Sequence, residues 1–267
     1  LRKFFGKIAF ELLAKINKHP VQITPKVEVL NLIKQLYPIN PGIELIRLGS
    51  DSDGGYLLPN DLEGIAACYS PGVGPKSDFE TDLANLGIEV FMADKSVKSP
   101  NSNHNKFHFI HKFVGSFTSE DYITMDEWFD TSIEKCDSDL ILQMDIEKFE
   151  YETIMNMSDK LLNRFRIIII EFHYLNYIWD NNFFQMLIGR VFEKILKNHT
   201  CVHIHPNNTD VIYDMYGIKI PITMEFTFLR NDRIKQICYR NDFPHPLDRK
   251  NVDFLDDLIL PEVWYKK

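Results

Sequence analysis

From residue 64 onward, apolar runs of strand length alternate with amphipathic segments of helix length, and that alternation restricts the chain to few folds. IAACYS reads as a strand that enters a glycine turn, SDFETDLANLG as a helix ended by Gly87, and IEVFMAD as the next strand. KFHFIHKFVG predicts a third strand, DLILQMDIE a fourth, and FRIIIIEFHYL a fifth, the most apolar in the chain. FEYETIMNM and NNFFQMLIGRVFEKILKNH fill the intervals with helical pattern, and MDEWFDTSIEKC reads as helical or irregular. TCVHIHPNN and ITMEFTFLR close the series with a loop between them. Strands interleaved with helices predict an α/β fold whose mostly parallel sheet carries helices on both faces. The last two strands lack a helical connection and predict an antiparallel pair.

Upstream, PKVEVLNLIKQLYP predicts a helix that stops at Pro38, and GIELIRLGSDSDGGYLL predicts two short strands about a polar turn. In the first twenty residues, Phe5, Ile8, Leu12, Leu13 and Ile16 form one helical stripe. Lys7, Glu11 and Lys15 interrupt it well short of the ~20 apolar residues that a span requires. The stripe fits a helix packed on the body of the protein, with peripheral membrane contact as the alternative. Residues 1–43 thus read as a helical extension and 44–267 as one domain.

The net charge of −8 argues against a nucleic-acid partner. Cys68, Cys136, Cys201 and Cys238 are scattered without a paired or zinc-like spacing, which points to a reducing, cytoplasmic compartment. Three N-x-S/T matches, at Asn156, Asn198 and Asn207, are short enough to recur by chance.

In a doubly wound sheet, ligands bind outside the carboxyl ends of the strands, so the polar residues that end the strands are the candidates. Ser70, Gly72 and Gly74 follow the first strand, where small residues admit a close ligand and the next helix presents free N–H groups. Asp94 follows the second, at the spacing suited to the ribose hydroxyls of a nucleotide, and a packing turn with a solvated Asp is the alternative. Asp145, Glu147 and Glu150 follow the fourth strand, the two glutamates also being suited to cap the next helix. Glu171 and His173 end the fifth, where a histidine facing carboxylates suits a general base. His203 and His205 share a strand face, yet with His108 and His111 they show no metal-binding spacing, and no metal is expected.

LQMDIEKFEYETI followed by IIIIEFHYL, with GSDSDGGYLL upstream, resembles the FkbM family of S-adenosylmethionine-dependent methyltransferases over about residues 44–230. The chain departs from the family pattern where Lys148 replaces the usual glycine after Asp-x-Glu, and where no acidic residue precedes the glycines of CYSPGVG. The resemblance implies a Rossmann-like class I methyltransferase fold with a seven-stranded sheet, and O-methylation of a sugar hydroxyl in polysaccharide or glycan biosynthesis. It assigns S-adenosylmethionine to Asp53, Gly54, Ser70, Gly72, Gly74, Glu80 and Asp94. His173, with Asp145 as alternative, becomes the base beside Glu147, and Glu171, His205 and Asn207 bind a sugar or nucleotide-sugar acceptor. A nicotinamide-dependent oxidoreductase is a second reading, weakened because no third glycine follows Gly72 and Gly74 at the dinucleotide spacing. A binding module without chemistry is a third.

Overall fold

The computed structural model describes residues 10, 12–15, 17–74, 76–132 and 138–266. Phe5, Ile8 and Ile16 of the N-terminal stripe, and Cys136, lie outside the described residues. Among the described residues no helix is long and apolar enough to cross a membrane.

The centre is a seven-stranded sheet. Its strands are β1 (Ile65–Pro71), β2 (Glu89–Ala93), β3 (Phe107–Ile110), β4 (Asp139–Met144), β5 (Phe165–Phe172), β6 (His199–Pro206) and β7 (Met224–Arg230). Across the sheet they run β3-β2-β1-β4-β5-β7-β6. All contacts from β3 to β5 are parallel. Strand β7 runs antiparallel to both β5 and β6, so the antiparallel strand is last in sequence but second from the sheet edge. This is the arrangement of a Rossmann-like class I methyltransferase fold.

The four isoleucines of β5 explain its unbroken apolarity. Ile168 and Ile170 enter one hydrophobic cluster and Ile167 and Ile169 the other, so each face of the strand has its own core. Burying each contributes roughly 1.5–3 kcal/mol. One core is covered by helices α1 (Lys26–Gln35), α3 (Met125–Ser132), α4 (Glu150–Asn156) and α5 (Gly189–Leu196). The other is covered by α2 (Asp78–Asn85) and the antiparallel hairpin Leu45–Gly49/Gly55–Pro59.

The structure differs from the sequence reading in four places. The predicted third strand, KFHFIHKFVG, ends at Ile110, and Phe113–Gly115 pairs instead with Tyr122–Thr124 in a sheet of its own. The predicted helix over residues 181–199 contains a π turn, Phe184–Ile188, ahead of α5. The loop between β6 and β7 carries its own hairpin, Ile212–Met215/Ile218–Pro221. The C-terminal residues, which have no periodic pattern, are part of the core: Trp264 is fully buried, packs on Phe226 and donates to the Lys219 carbonyl at 3.1 Å.

Candidate active site

Two cavities open at the carboxyl end of the sheet, of about 520 and 470 Å³, and Asp53, Asp145 and Glu147 line both.

The larger cavity begins at the glycine turn after β1. Gly72 and Gly74 both have positive φ, +87° and +57°. The Gly72 N–H donates to the Ala93 carbonyl at 3.1 Å, and the Asp145 N–H donates to the Pro71 carbonyl at 3.2 Å. A Cβ on Gly72 would lie 1.6 Å from the Asp145 carbonyl oxygen, so only glycine lets the ends of β1 and β4 meet. Gly74 has open space around it and lines the cavity. Its N–H donates to Asp94 Oδ2 at 3.2 Å, while Asp94 Oδ1 accepts from the Ser96 N–H at 2.7 Å. Asp94 is thereby fixed at the cavity wall rather than solvated. Part of the lining is apolar, formed by Phe113, Val114, Tyr122, Ile146 and Phe149. Phe113 and Tyr122 stand on a short parallel strand pair, Phe113–Gly115/Tyr122–Thr124.

Below the cavity runs a buried polar chain. Ser70 Oγ lies 2.5 Å from Glu80 Oε1 and 2.6 Å from Gln143 Oε1, and Gln143 Nε2 donates to Tyr56 OH at 3.1 Å. One hydroxyl proton cannot serve two acceptors, so a protonated Glu80 completes the chain. Burial pushes the Glu80 carboxyl up to about 7, against the Ser70 hydrogen bond, which agrees. Glu80 lines the cavity, whereas Ser70 does not reach it and orders Glu80 and Gln143 instead.

The smaller cavity is strongly acidic. Asp53, Asp145, Glu147, Glu171 and Asp210 line it together with His173, Tyr174 and Asn207. His173 Nδ1 lies 3.0 Å from Oε1 of the fully buried Glu150. Its Nε2 lies 3.5 Å from both Glu171 Oε1 and Glu147 Oε2. Asn207 Nδ2 donates to both Glu171 oxygens, at 3.1 and 3.3 Å. Asp145 Oδ1 is closed off from solvent and has no hydrogen-bond partner. Burial pushes Asp145 up to about 7, with the carboxylates of Glu150 and Glu147 adding to it and His173 opposing. Burial also raises Glu171 well above the usual carboxylate range, reinforced by Asp145 and Glu225. Burial works against a charged His173, but Glu150 and the surrounding carboxylates prevail and raise it.

The loop after β4 is strained. Glu147 and Lys148 have φ of +54° and +91°, and Tyr174 has φ of +55°. Position 148, where the family pattern has glycine, therefore keeps a glycine backbone under a lysine side chain. The Lys148 ammonium sits 4.9 Å from the centre of the Tyr174 ring.

His205 lines neither cavity. Its Nδ1 is 3.7 Å from Asp248 Oδ2, and His203 Nε2 is 2.9 Å from Asp248 Oδ1. Asn208 exchanges hydrogen bonds with Val252, and Asn251 donates to Glu225 at 3.0 Å. The HIHPNN segment thus fastens the C-terminal segment to the sheet, with only Asn207 facing a cavity. The Asp53 N–H donates in turn to the Asn251 carbonyl at 3.1 Å, so the same segment holds a residue common to both cavities. His108 pairs with Glu89 and joins no histidine cluster.

The sequence profile of the methyltransferase FkbM domain matches residues 64–199, just over half of the chain. The chain belongs to the FkbM methyltransferase family. No curated protein sequence matches it. Among solved structures, it is similar to a candidate RNA methyltransferase from Pyrococcus horikoshii, at 13% identity over 82% of this chain and 97% of that one, with a TM-score of 0.33. It is also similar to a candidate methyltransferase of an antibiotic-biosynthesis pathway from Anabaena variabilis, at 11% identity over 68% of this chain and 66% of that one, with a TM-score of 0.29. Neither likeness bears on the substrate of this FkbM protein. Methyltransferases of this family generally use S-adenosylmethionine, and the larger cavity fits such a molecule. Its volume is suited to a small cofactor, with an apolar wall for a base and a fixed carboxylate for hydroxyls.

Proposed function

We propose that this FkbM protein transfers a methyl group from S-adenosylmethionine to a hydroxyl oxygen of a sugar, on a nucleotide-linked sugar or a glycan in polysaccharide biosynthesis. The observation that carries this reading is the shared wall: Asp145 borders the larger cavity on one side and the smaller on the other. Donor and acceptor seated in the two would meet beside it.

When bound, S-adenosylmethionine supplies an electrophilic methyl group on its sulfonium. Asp94 would accept hydrogen bonds from the ribose, Gly74 would leave room for it, and Phe113, Tyr122 and Phe149 would face the adenine. Asp53, Gly54 and Glu80 complete that wall. The residues that face the acceptor do the orienting on which an in-line displacement depends. Glu171, held by Asn207, would hydrogen-bond a neighbouring hydroxyl, and His173, or else Asp145, would take the proton of the reacting one. Five carboxylates in the smaller cavity oppose a phosphate there and support a neutral, hydroxyl-rich group as the part methylated. His205, turned to Asp248, has no part in this scheme. An oxidoreductase reading loses its basis with the family assignment.

Titration calorimetry with S-adenosylmethionine tests the donor half. Saturable binding that Asp94→Ala weakens supports it; a wild-type chain that does not bind the cofactor removes it.

A further inference from the structure

The acidic cavity has a charge problem that hydrogen bonds do not solve. Among the described residues, no Lys or Arg pairs with Asp145, Glu150 or Glu171: Glu150 and Glu171 meet His173, and Asp145 forms no ion pair. Lys148, the one Lys or Arg lining the cavity among the described residues, is turned over Tyr174. Asp145 Oδ1 remains buried and unpartnered.

One donor atom each from Asp145, Glu171 and His173 lies within 4.8 Å of the others. We infer that these three side chains form a divalent-cation site that holds the acceptor's hydroxyl oxygen next to the methyl donor. A cation with ligands at about 2.0–2.2 Å bridges donors roughly 3–4 Å apart, so a small inward movement closes the site. The surroundings are those of a metal centre. Glu150, fully buried, takes the His173 Nδ1 side at 3.0 Å, which fixes the tautomer and turns the Nε2 lone pair to the cluster. Asn207 orients Glu171 from the other side. Asp145 is anchored through its backbone to Pro71. All three side chains line the cavity, which leaves space beside them for substrate oxygens. Two carboxylates and one imidazole favour Mn²⁺ or Mg²⁺ over the softer metals.

The inference rests on the acceptor reading of the smaller cavity and changes the part of His173, whose Nε2 becomes a ligand. The acceptor O–H then loses its proton to Glu147, which is largely exposed with Oε2 near the cluster, as the methyl C–S bond breaks and the O–C bond forms. The cation stabilises the oxygen's developing negative charge.

The test uses Mn²⁺ alone, added to the full chain without cofactor or acceptor, and follows the paramagnetic resonance of free Mn²⁺. The wild type is expected to take up the ion saturably, in one site. Glu171→Gln should abolish uptake, Glu150→Gln should weaken it by on the order of 10- to 100-fold, and Glu89→Gln, at the far start of β2, should not change it. S-adenosylmethionine affinity, measured by calorimetry on each variant, reports that its fold is intact. A folded wild type that binds the cofactor and no Mn²⁺ overturns the cation site and leaves the donor reading standing. Uptake that survives Glu171→Gln, or that Glu89→Gln lowers equally, also overturns it. Uptake of Mn²⁺ without cofactor binding supports the cation site and removes the donor reading instead.

Discussion

Gly72 and Asp145 touch through their backbones: a Cβ on Gly72 would fall 1.6 Å from the Asp145 carbonyl oxygen. The glycine turn after β1 and the acidic end of β4 are thus one structural unit, and Asp145 is held where the two cavities adjoin. Gly72→Ala must either push β4 away or leave its positive φ, and is expected to destabilise by about 3 kcal/mol or more. Gly74→Ala meets no neighbour within 4 Å and carries only the left-handed backbone penalty, roughly 1–2 kcal/mol. Urea unfolding of the two variants checks the ordering; equal losses would mean that the contact with Asp145 contributes nothing.

Lys148 stands at φ +91°. A side chain in such backbone costs about 1–3 kcal/mol. Introducing glycine relieves that strain but adds roughly 0.5–1 kcal/mol of backbone entropy loss, and removes the exposed contact with the Tyr174 ring. Lys148→Gly is therefore expected to be neutral to stabilising by about 1 kcal/mol, raising the thermal midpoint by up to ~2–4 °C. A clear fall in the midpoint would show that the Tyr174 contact outweighs the strain.

The fold was legible because β-strands buried on both faces leave long apolar runs, and each ends in a polar residue that the topology carries to one edge. Asp94, Asp145, Glu171 and His173 stand out that way, and each lines one of the two cavities or both. His205 was misplaced because alternation gives the face of a strand but not what covers it, and here Asp248 does. Asp248 and Asn251 lie in coil and Trp264 in a single 3-10 turn, Glu262–Trp264, all without periodicity, so nothing local marks them. Phe113, Tyr122 and Phe149 were missed since they sit outside the central sheet, where an aromatic residue in a short segment looks like ordinary core. Ser70 ends β1 as expected, yet its hydroxyl is drawn down to Glu80 and Gln143, a pairing visible only in three dimensions.

The Asp248 clasp predicts a pH profile. Burial raises the Asp248 carboxyl, but His203 and His205 overcome it and hold the group well below the usual range. Its contribution is thus present above the unfolded value, about 3.9, and lost as the pH falls below it. Burial lowers His205, but the neighbouring Asp248 carboxylate and the charges of Glu225 and Asp257 prevail and raise it. That part is fully present below about 6.5 and lost as the pH rises through the higher folded value. The stability difference between wild type and Asp248→Asn should therefore be largest between about pH 4 and 6.5, and smaller at pH 3 and pH 9. Denaturant unfolding across that range measures it; a difference independent of pH would mean that the clasp acts by packing alone.

Asp94 and His173 lie on opposite sides of Asp145, one in each cavity, and their variants should separate binding from turnover. Asp94→Ala removes a carboxylate fixed at the donor wall, where a hydrogen bond to a charged group contributes about 1.5–3 kcal/mol, so cofactor affinity should fall roughly 10- to 100-fold. His173→Ala leaves that wall untouched and should keep cofactor affinity within about twofold, while lowering single-turnover methyl transfer by about 10² or more. The loss at His173 is expected whether the imidazole takes the proton or ligates a cation, because both roles act on the acceptor oxygen. Calorimetry paired with single-turnover rates on a sugar acceptor decides the matter. Equal loss of cofactor binding in both variants would mean that the two cavities are one site, and that the division of labour at Asp145 is wrong.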